Sequence, residues 1–169
     1  MTKERYALMT NALRNKLAHM PFGERLLLVP TLLCALFYGF SLLHLYFVND
    51  PRLLRVVLVP ACCFIAATVL RWIIGKERPY DRYGLPPVGK YTPGKCRSLP
   101  SRHAASATAI AIAIVYVNPH PISVMVMVVL CLLISALRVI SGHHDVSDVI
   151  AALSLSGAIS VLGYLMPFT

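Results

Sequence analysis

Charge is scarce in this sequence. Charged residues make up 14% of its 169 positions, and only seven are acidic. With 57% hydrophobic residues and a mean hydropathy of +0.69, the chain is excluded from the ordinary soluble class and placed among membrane proteins. A cysteine framework is also lacking. Cys34, Cys62, Cys63 and Cys131 lie inside apolar runs, where free thiols pack as small hydrophobes. Cys96 stands alone in a polar loop, so neither a disulfide scaffold nor a metal or other cofactor site is expected. There is no internal repeat, no soluble appendage and no evident cleavable signal, because the first 25 residues are polar and basic and the first apolar run is already long enough to span. The net charge of +9 is scattered over the segments between apolar runs, with no soluble domain to present it. Nucleic acid is therefore not the expected partner. An anionic lipid is, as surface or as substrate.

What is present is an alternation of long apolar runs and short polar knots. Residues 3–20 place Tyr6, Met9, Leu13, Leu17 and Met20 on one helical stripe, with Arg5, Asn11, Arg14 and Lys16 around it. This predicts an interfacial amphipathic helix, the alternative being a flexible basic tail; Pro21 and Gly23 end it. Apolar runs at 26–48, 53–75, 104–117, 122–137 and 149–166 predict about five crossings. The expected fold class is all-α: one polytopic transmembrane helical bundle over residues 1–169. His120, between Pro119 and Pro121, reads as an exposed turn residue. The topology gathers Arg71, the 76–103 loop, Arg138 and His144 at one membrane face.

Three polar clusters carry the chemistry. In the last, 137–148, an arginine, a histidine and an aspartate lie where a membrane segment ordinarily has none. His144 and Asp148 are four apart, so on a helix they share a face, and a carboxylate there can orient an imidazole for attack. The bland reading is that Asp145 caps a helix and Asp148 bonds back to it. His143 reads as a linker. In the first cluster, Arg71 and Arg78 are two helical turns apart and Pro79 biases Arg78 towards an extended conformation; two guanidiniums form a phosphate clamp, whereas Lys76 reads as a snorkelling side chain at a helix end. In the second, Ser101 is a good N-cap, and the amides of Arg102 and His103 then stand at a helix N-terminus, a ready anion site. His103 there is placed to donate a proton, or is merely exposed.

Together the clusters read Arg71-x6-Arg78-Pro79, Pro100-Ser101-Arg102-His103 and Leu137-Arg138-x5-His144-x3-Asp148. In this order they resemble the type 2 phosphatidic acid phosphatase family, relatives of bacterial acid phosphatases and vanadium haloperoxidases, whose motifs are Lys-x6-Arg-Pro, Pro-Ser-Gly-His and Ser-Arg-x5-His-x3-Asp. The resemblance runs from about residue 55 to the C-terminus. It implies a metal-independent lipid phosphatase, with His144 as the nucleophile that forms a phosphohistidine, Asp148 as its orienting acid and His103 as the proton donor. It implies that Arg71, Arg78, Ser101 and Arg138 bind phosphate beside the backbone of Arg102. Three positions depart from the pattern: Arg71 for lysine, Leu137 for serine and Arg102 for glycine. The third adds five side-chain donors at the pocket mouth, which are expected to read a second anionic group.

The implied substrates are a polyprenyl pyrophosphate, phosphatidylglycerophosphate or phosphatidic acid, and the implied place is a bacterial inner membrane. Five N-terminal basic residues (Lys3, Arg5, Arg14, Lys16, Arg25) stand against Arg52 and Arg55 at the opposite face, so the positive-inside rule leans towards a cytoplasmic site. The competing reading is a non-catalytic binder of anionic lipid, which has no need of a nucleophile. The sequence is silent on oligomeric state.

Overall fold

The computed structural model describes residues 2–20, 22–94 and 96–166; Pro21, expected to end the first helix, and Lys95 lie outside them. The elements are α1 (Lys3–Ala18), α2 (Gly23–Leu26), α3 (Val29–Phe47), α4 (Leu53–Ile74), α5 (Pro79–Tyr83), α6 (Arg102–Val117), α7 (Pro121–Ile140) and α8 (Val146–Leu165). No strand occurs among the described residues.

Local chemistry sets most of the boundaries. Thr2 caps α1 by accepting from the Arg5 amide at 3.4 Å. Pro121 opens α7 at a position whose missing N–H costs nothing, behind a His120 ring that accepts from the Ile122 amide at 3.3 Å. Gly75, at φ +60°, ends α4 in the left-handed conformation that favours glycine. Arg78 is extended, as the proline after it requires, and Pro79 then begins the short α5, which the sequence pattern did not suggest.

Four stretches are long and apolar enough to cross a membrane: Gly23–Phe47, Leu53–Tyr83, Pro121–Ile140 and Val146–Leu165. Their outward side chains, among them Phe40, Phe47, Leu132 and Leu165, are exposed apolar groups that only a bilayer would cover. The fifth expected crossing, α6, has 16 residues. At 1.5 Å per residue that is about 24 Å, less than the roughly 30 Å of a bilayer's hydrocarbon, yet α6 joins the end where α4 stops to the turn from which α7 returns, so it is the crossing that starts below the membrane surface. Its place is the centre of the bundle, against α3, α4, α7 and α8. Ala104, Ala105, Ala107, Ala109, Ala111 and Ala113 are all buried, so α6 lets its neighbours approach closely on several sides.

α4 and α8 meet in the same way. Gly163 faces Val59, and Cys63 Sγ lies 3.6 Å from Ser160 Oγ. Because α6 is short and central, its N-terminus opens onto a polar basin rather than onto lipid. The C-terminal ends of α4 and α7, the N-terminal ends of α6 and α8, and the segment from 75 to 101 all converge there. α1 is helical as expected and docks at this same end, with Tyr6 and Thr10 buried and Met9, Leu13 and Leu17 half-buried.

A Cβ on Gly163 would stand 2.7 Å from Val59 Cγ2, whereas one on Gly157, in the same helix, would meet nothing within 4 Å. Gly163→Ala is therefore expected to cost about 1–3 kcal/mol by overpacking, read as a lower Tm in detergent, while Gly157→Ala leaves Tm unchanged or slightly raised.

Candidate functional site

The basin is built on Asp148, in the first turn of α8 and fully buried. Its Oδ2 accepts from the Asp145 amide at 3.1 Å and from the Ser98 hydroxyl, and faces His144 Nδ1 at 3.4 Å. Its Oδ1 accepts from Lys76 Nζ at 2.6 Å. One carboxylate thus closes the helix-start box and holds the imidazole. The two readings of Asp148 that the sequence set against each other both describe it.

His144 does not share a helix face with Asp148. It stands one residue before the N-cap Asp145, and the turn into α8 brings the imidazole and the carboxylate together. The imidazole is buried, and burial is the main cause that lowers its pKa from the ordinary value; the Asp148 bond opposes this, and the charges of Arg78 and Arg71 add to it. His144 is therefore neutral at pH 7. With Nδ1–H turned to Asp148, Nε2 keeps its lone pair for an electrophile.

Guanidiniums collect at the same end of the bundle. Arg71 is buried at the last turn of α4 and donates through Nη2 to the Arg97 carbonyl. Arg78 is half-buried, and its Nε is a buried donor with no acceptor in the protein. Arg138 ends α7, and its carbonyl accepts the amides of both His143 and His144 at 3.1 Å. Ser101 occupies the N-cap position of α6 but does not cap it through its side chain; its amide donates to the Asp148 carbonyl at 3.0 Å, and its buried Oγ has no partner. The first α6 backbone bond runs from Ala105 to Ser101, which leaves the preceding amides ahead of the helix's first acceptor. An unpaired buried donor costs about 1–3 kcal/mol, and here Arg78 Nε, Ser101 Oγ and a helix N-terminus occur in one basin. A phosphoryl group supplies acceptors of the required kind.

His103 and Arg102 are exposed on the first turn of α6. The Arg102 guanidinium lies over the Phe64 ring of α4, 5.7 Å from its centroid. Both line a cavity of about 370 Å³, which continues between α3, α6 and α7 along Thr31, Cys34, Ile110 and Ile134. Among the described residues no group of three or more His, Cys, Asp or Glu side chains is placed to hold a metal ion.

A family model, that of the PAP2 superfamily, matches residues 52–169. The chain belongs to the PAP2 superfamily. A search of curated proteins found no match. Among solved structures, a transmembrane PAP2-type phosphatidylglycerolphosphate phosphatase from Bacillus subtilis is similar in fold, with a TM-score of 0.65 at 20% identity over 96% of this chain and 85% of that one. This PAP2 protein is accordingly an integral membrane phosphatase.

Set against the sequence reading, the structure brings His144, Asp148, Arg71, Arg78, Ser101 and Arg138 to one end of the bundle, with His103 and Arg102 at its lipid-facing side. His143 is more than a linker: its Nδ1 lies 2.9 Å from Ser141 Oγ and its Nε2 3.1 Å from the Lys90 carbonyl, and burial lowers its pKa to about 4. Lys76 is corrected outright. It does not snorkel; Nζ pairs with Asp148 at 2.6 Å and Asp145 at 3.2 Å and donates to Ser147 Oγ at 2.9 Å. Ser98 belongs to none of the three sequence clusters. No spacing rule reaches it, since it lies 50 positions from Asp148, although its amide bond to the Lys76 carbonyl ties the two missed residues together.

The Lys76–Asp148 pair is buried on one side only, with the lysine about a quarter exposed. Lys76→Met should therefore destabilise by about 1–3 kcal/mol, below the cost of breaking a fully buried pair. In a double-mutant cycle with Asp148→Asn, thermal unfolding should show a coupling of about 1 kcal/mol or more; additive losses would mean that the contact contributes nothing.

Proposed function

We propose that this phosphatase hydrolyses a lipid phosphomonoester or pyrophosphate through a phosphohistidine on His144. The observation that carries the reading is a buried imidazole with one nitrogen on a buried carboxylate, under the charges of Arg78 and Arg71 and beside donors that lack protein acceptors.

Arg71, Arg78, Arg138, Ser101 and the α6 amides would hold the phosphoryl oxygens and offset the charge that builds in a five-coordinate transition state. His144 Nε2 attacks phosphorus, a P–N bond forms and the P–O bond to the leaving group breaks. Asp148 stabilises the imidazolium that develops. His103, the proton donor, is held protonated by the negative charge of the bound phosphate and gives its proton to the departing oxygen. Water then attacks the phosphohistidine, His103 takes a proton from it, the P–N bond breaks, and inorganic phosphate leaves. The family needs no metal for these steps, and none of them invokes one.

The lipid assignment draws on the cavity beside His103. An alkoxide leaving from phosphorus would depart towards that histidine, and the apolar walls beyond it, Cys34, Ile110 and Ile134, suit the first part of an acyl or prenyl chain. Phosphatidylglycerophosphate, the substrate class in the name of the structurally similar protein, phosphatidic acid and a polyprenyl pyrophosphate are the candidates. Arg102, stacked on Phe64 at the cavity wall, is placed to meet a second anionic group on such a lipid. Purified protein in detergent with EDTA should release phosphate from at least one of the three, and His144→Ala should lower the rate by about 10³-fold or more. Release that survives this substitution would defeat the mechanism.

The pH dependence has a definite sign. Because burial lowers the His144 pKa below the ordinary value of about 6.5, the neutral nucleophile persists to lower pH, and the acid limb of kcat/KM should lie below 6.5. In the unfolded chain His144 takes up a proton as pH falls through 6.5 while the folded ring does not, so its contribution to stability is lost on acidification.

The site is assigned to the cytoplasmic face of a bacterial inner membrane on the basic N-terminal residues, since α1 docks at the site's end of the bundle. Cys96 is exposed in the loop at that end. A membrane-impermeant maleimide should label it only after permeabilisation of cells; labelling of intact cells would reverse the assignment.

A further inference from the structure

The mechanism uses the side chains around His144 and leaves open what holds the backbone that presents it. That backbone is the turn 138–145. Within it, Gly142 has φ +80°, where glycine is favoured, and its amide donates to the Val139 carbonyl at 2.9 Å. From the loop side, the Val88 amide donates to the Ser141 carbonyl at 2.9 Å, and Lys90 receives His143. The remaining support comes from α1. Tyr6 is fully buried, and its hydroxyl lies 3.1 Å from the Leu85 carbonyl and 3.4 Å from the Gly142 carbonyl, one proton shared between two acceptors. The contact is close enough that a Cβ on Gly142 would stand 2.5 Å from the phenol oxygen. Gly142 is thus required both by its backbone angle and by the ring against it. Tyr83 backs the ring at a centroid distance of 5.3 Å, and Arg14, two turns along α1, donates to the Pro86 carbonyl at 3.1 Å.

We infer that Tyr6 is a positioning residue for the phosphatase: it joins α1, which lies outside the family-matched region, to the Gly142 carbonyl and so fixes the turn that presents His144. The inference rests on the reading of His144 as the reacting group. It makes the N-terminal helix part of the catalytic framework, beyond any role as a membrane-surface anchor. Burial pushes the phenol's pKa up to about 12, so the donor is retained across the working pH range.

The test uses the full chain in detergent micelles, with short-chain phosphatidic acid, phosphatidylglycerophosphate and undecaprenyl pyrophosphate as probes. It compares kcat, KM and Tm for the wild type, Tyr6→Phe and Tyr6→Leu. Tyr6→Leu removes ring and hydroxyl and is expected to lower kcat about tenfold or more with KM within about twofold, because a displaced nucleophile loses alignment and not affinity. Tyr6→Phe keeps the ring and is expected to lower kcat about threefold on the same ground. If Tyr6→Leu fails to fold, Tyr6→Phe decides. A kcat within the error of wild type in the folded variants, or a loss that only tracks the folded fraction, overturns the inference and leaves the phosphatase reading standing. No release by the wild type from any probe defeats that reading, and this inference with it.

Discussion

The site depends on one carboxylate buried where a membrane helix begins. Asp148 is fully buried, so its charge persists only because Lys76, Ser98, the Asp145 amide and the His144 ring all turn towards it. These groups come from three parts of the chain: Lys76, Ser98, and the adjacent His144 and Asp145. Satisfying the carboxylate therefore draws together the end of α4, the polar loop, the start of α8 and the turn after α7. Assembly of the site and relief of the buried charge are the same event.

The surrounding bundle makes that arrangement possible. A central helix of small residues, shorter than its neighbours, leaves a basin at one end while the four longer apolar stretches keep the rest in lipid. Arg71 occupies the last turn of α4 and Arg138 the last turn of α7, where the helix dipole favours cations. The same basin is edged on the membrane side by the cavity along α3 and α6, so phosphate chemistry and an apolar chain can be accommodated a few residues apart.

Much of this was legible in the sequence, for identifiable reasons. Length and hydropathy mark the long helices, and the order and spacing of the three polar clusters single out His144, Asp148 and the arginines. The residues that escaped are those placed by long-range backbone bonds. Ser98 reaches Asp148 because its amide is tied to Lys76, and Tyr6 meets Gly142 across 136 positions. Lys76 was misread because a lysine at a helix end has the same sequence signature whether it reaches for headgroups or for a buried carboxylate. Ser101 took its expected position with its hydroxyl turned away from the expected cap, a choice of side-chain direction that sequence pattern does not encode.

The central claim is that His144 carries the phosphoryl group. Rapid acid-free quenching of the enzyme with phosphorus-labelled lipid substrate, followed by peptide mapping, tests it most directly. The account predicts a base-stable, acid-labile phosphoenzyme on the peptide containing His144, absent from His144→Ala. Label on another residue, or turnover with no phosphoenzyme even when hydrolysis is slowed, would contradict it.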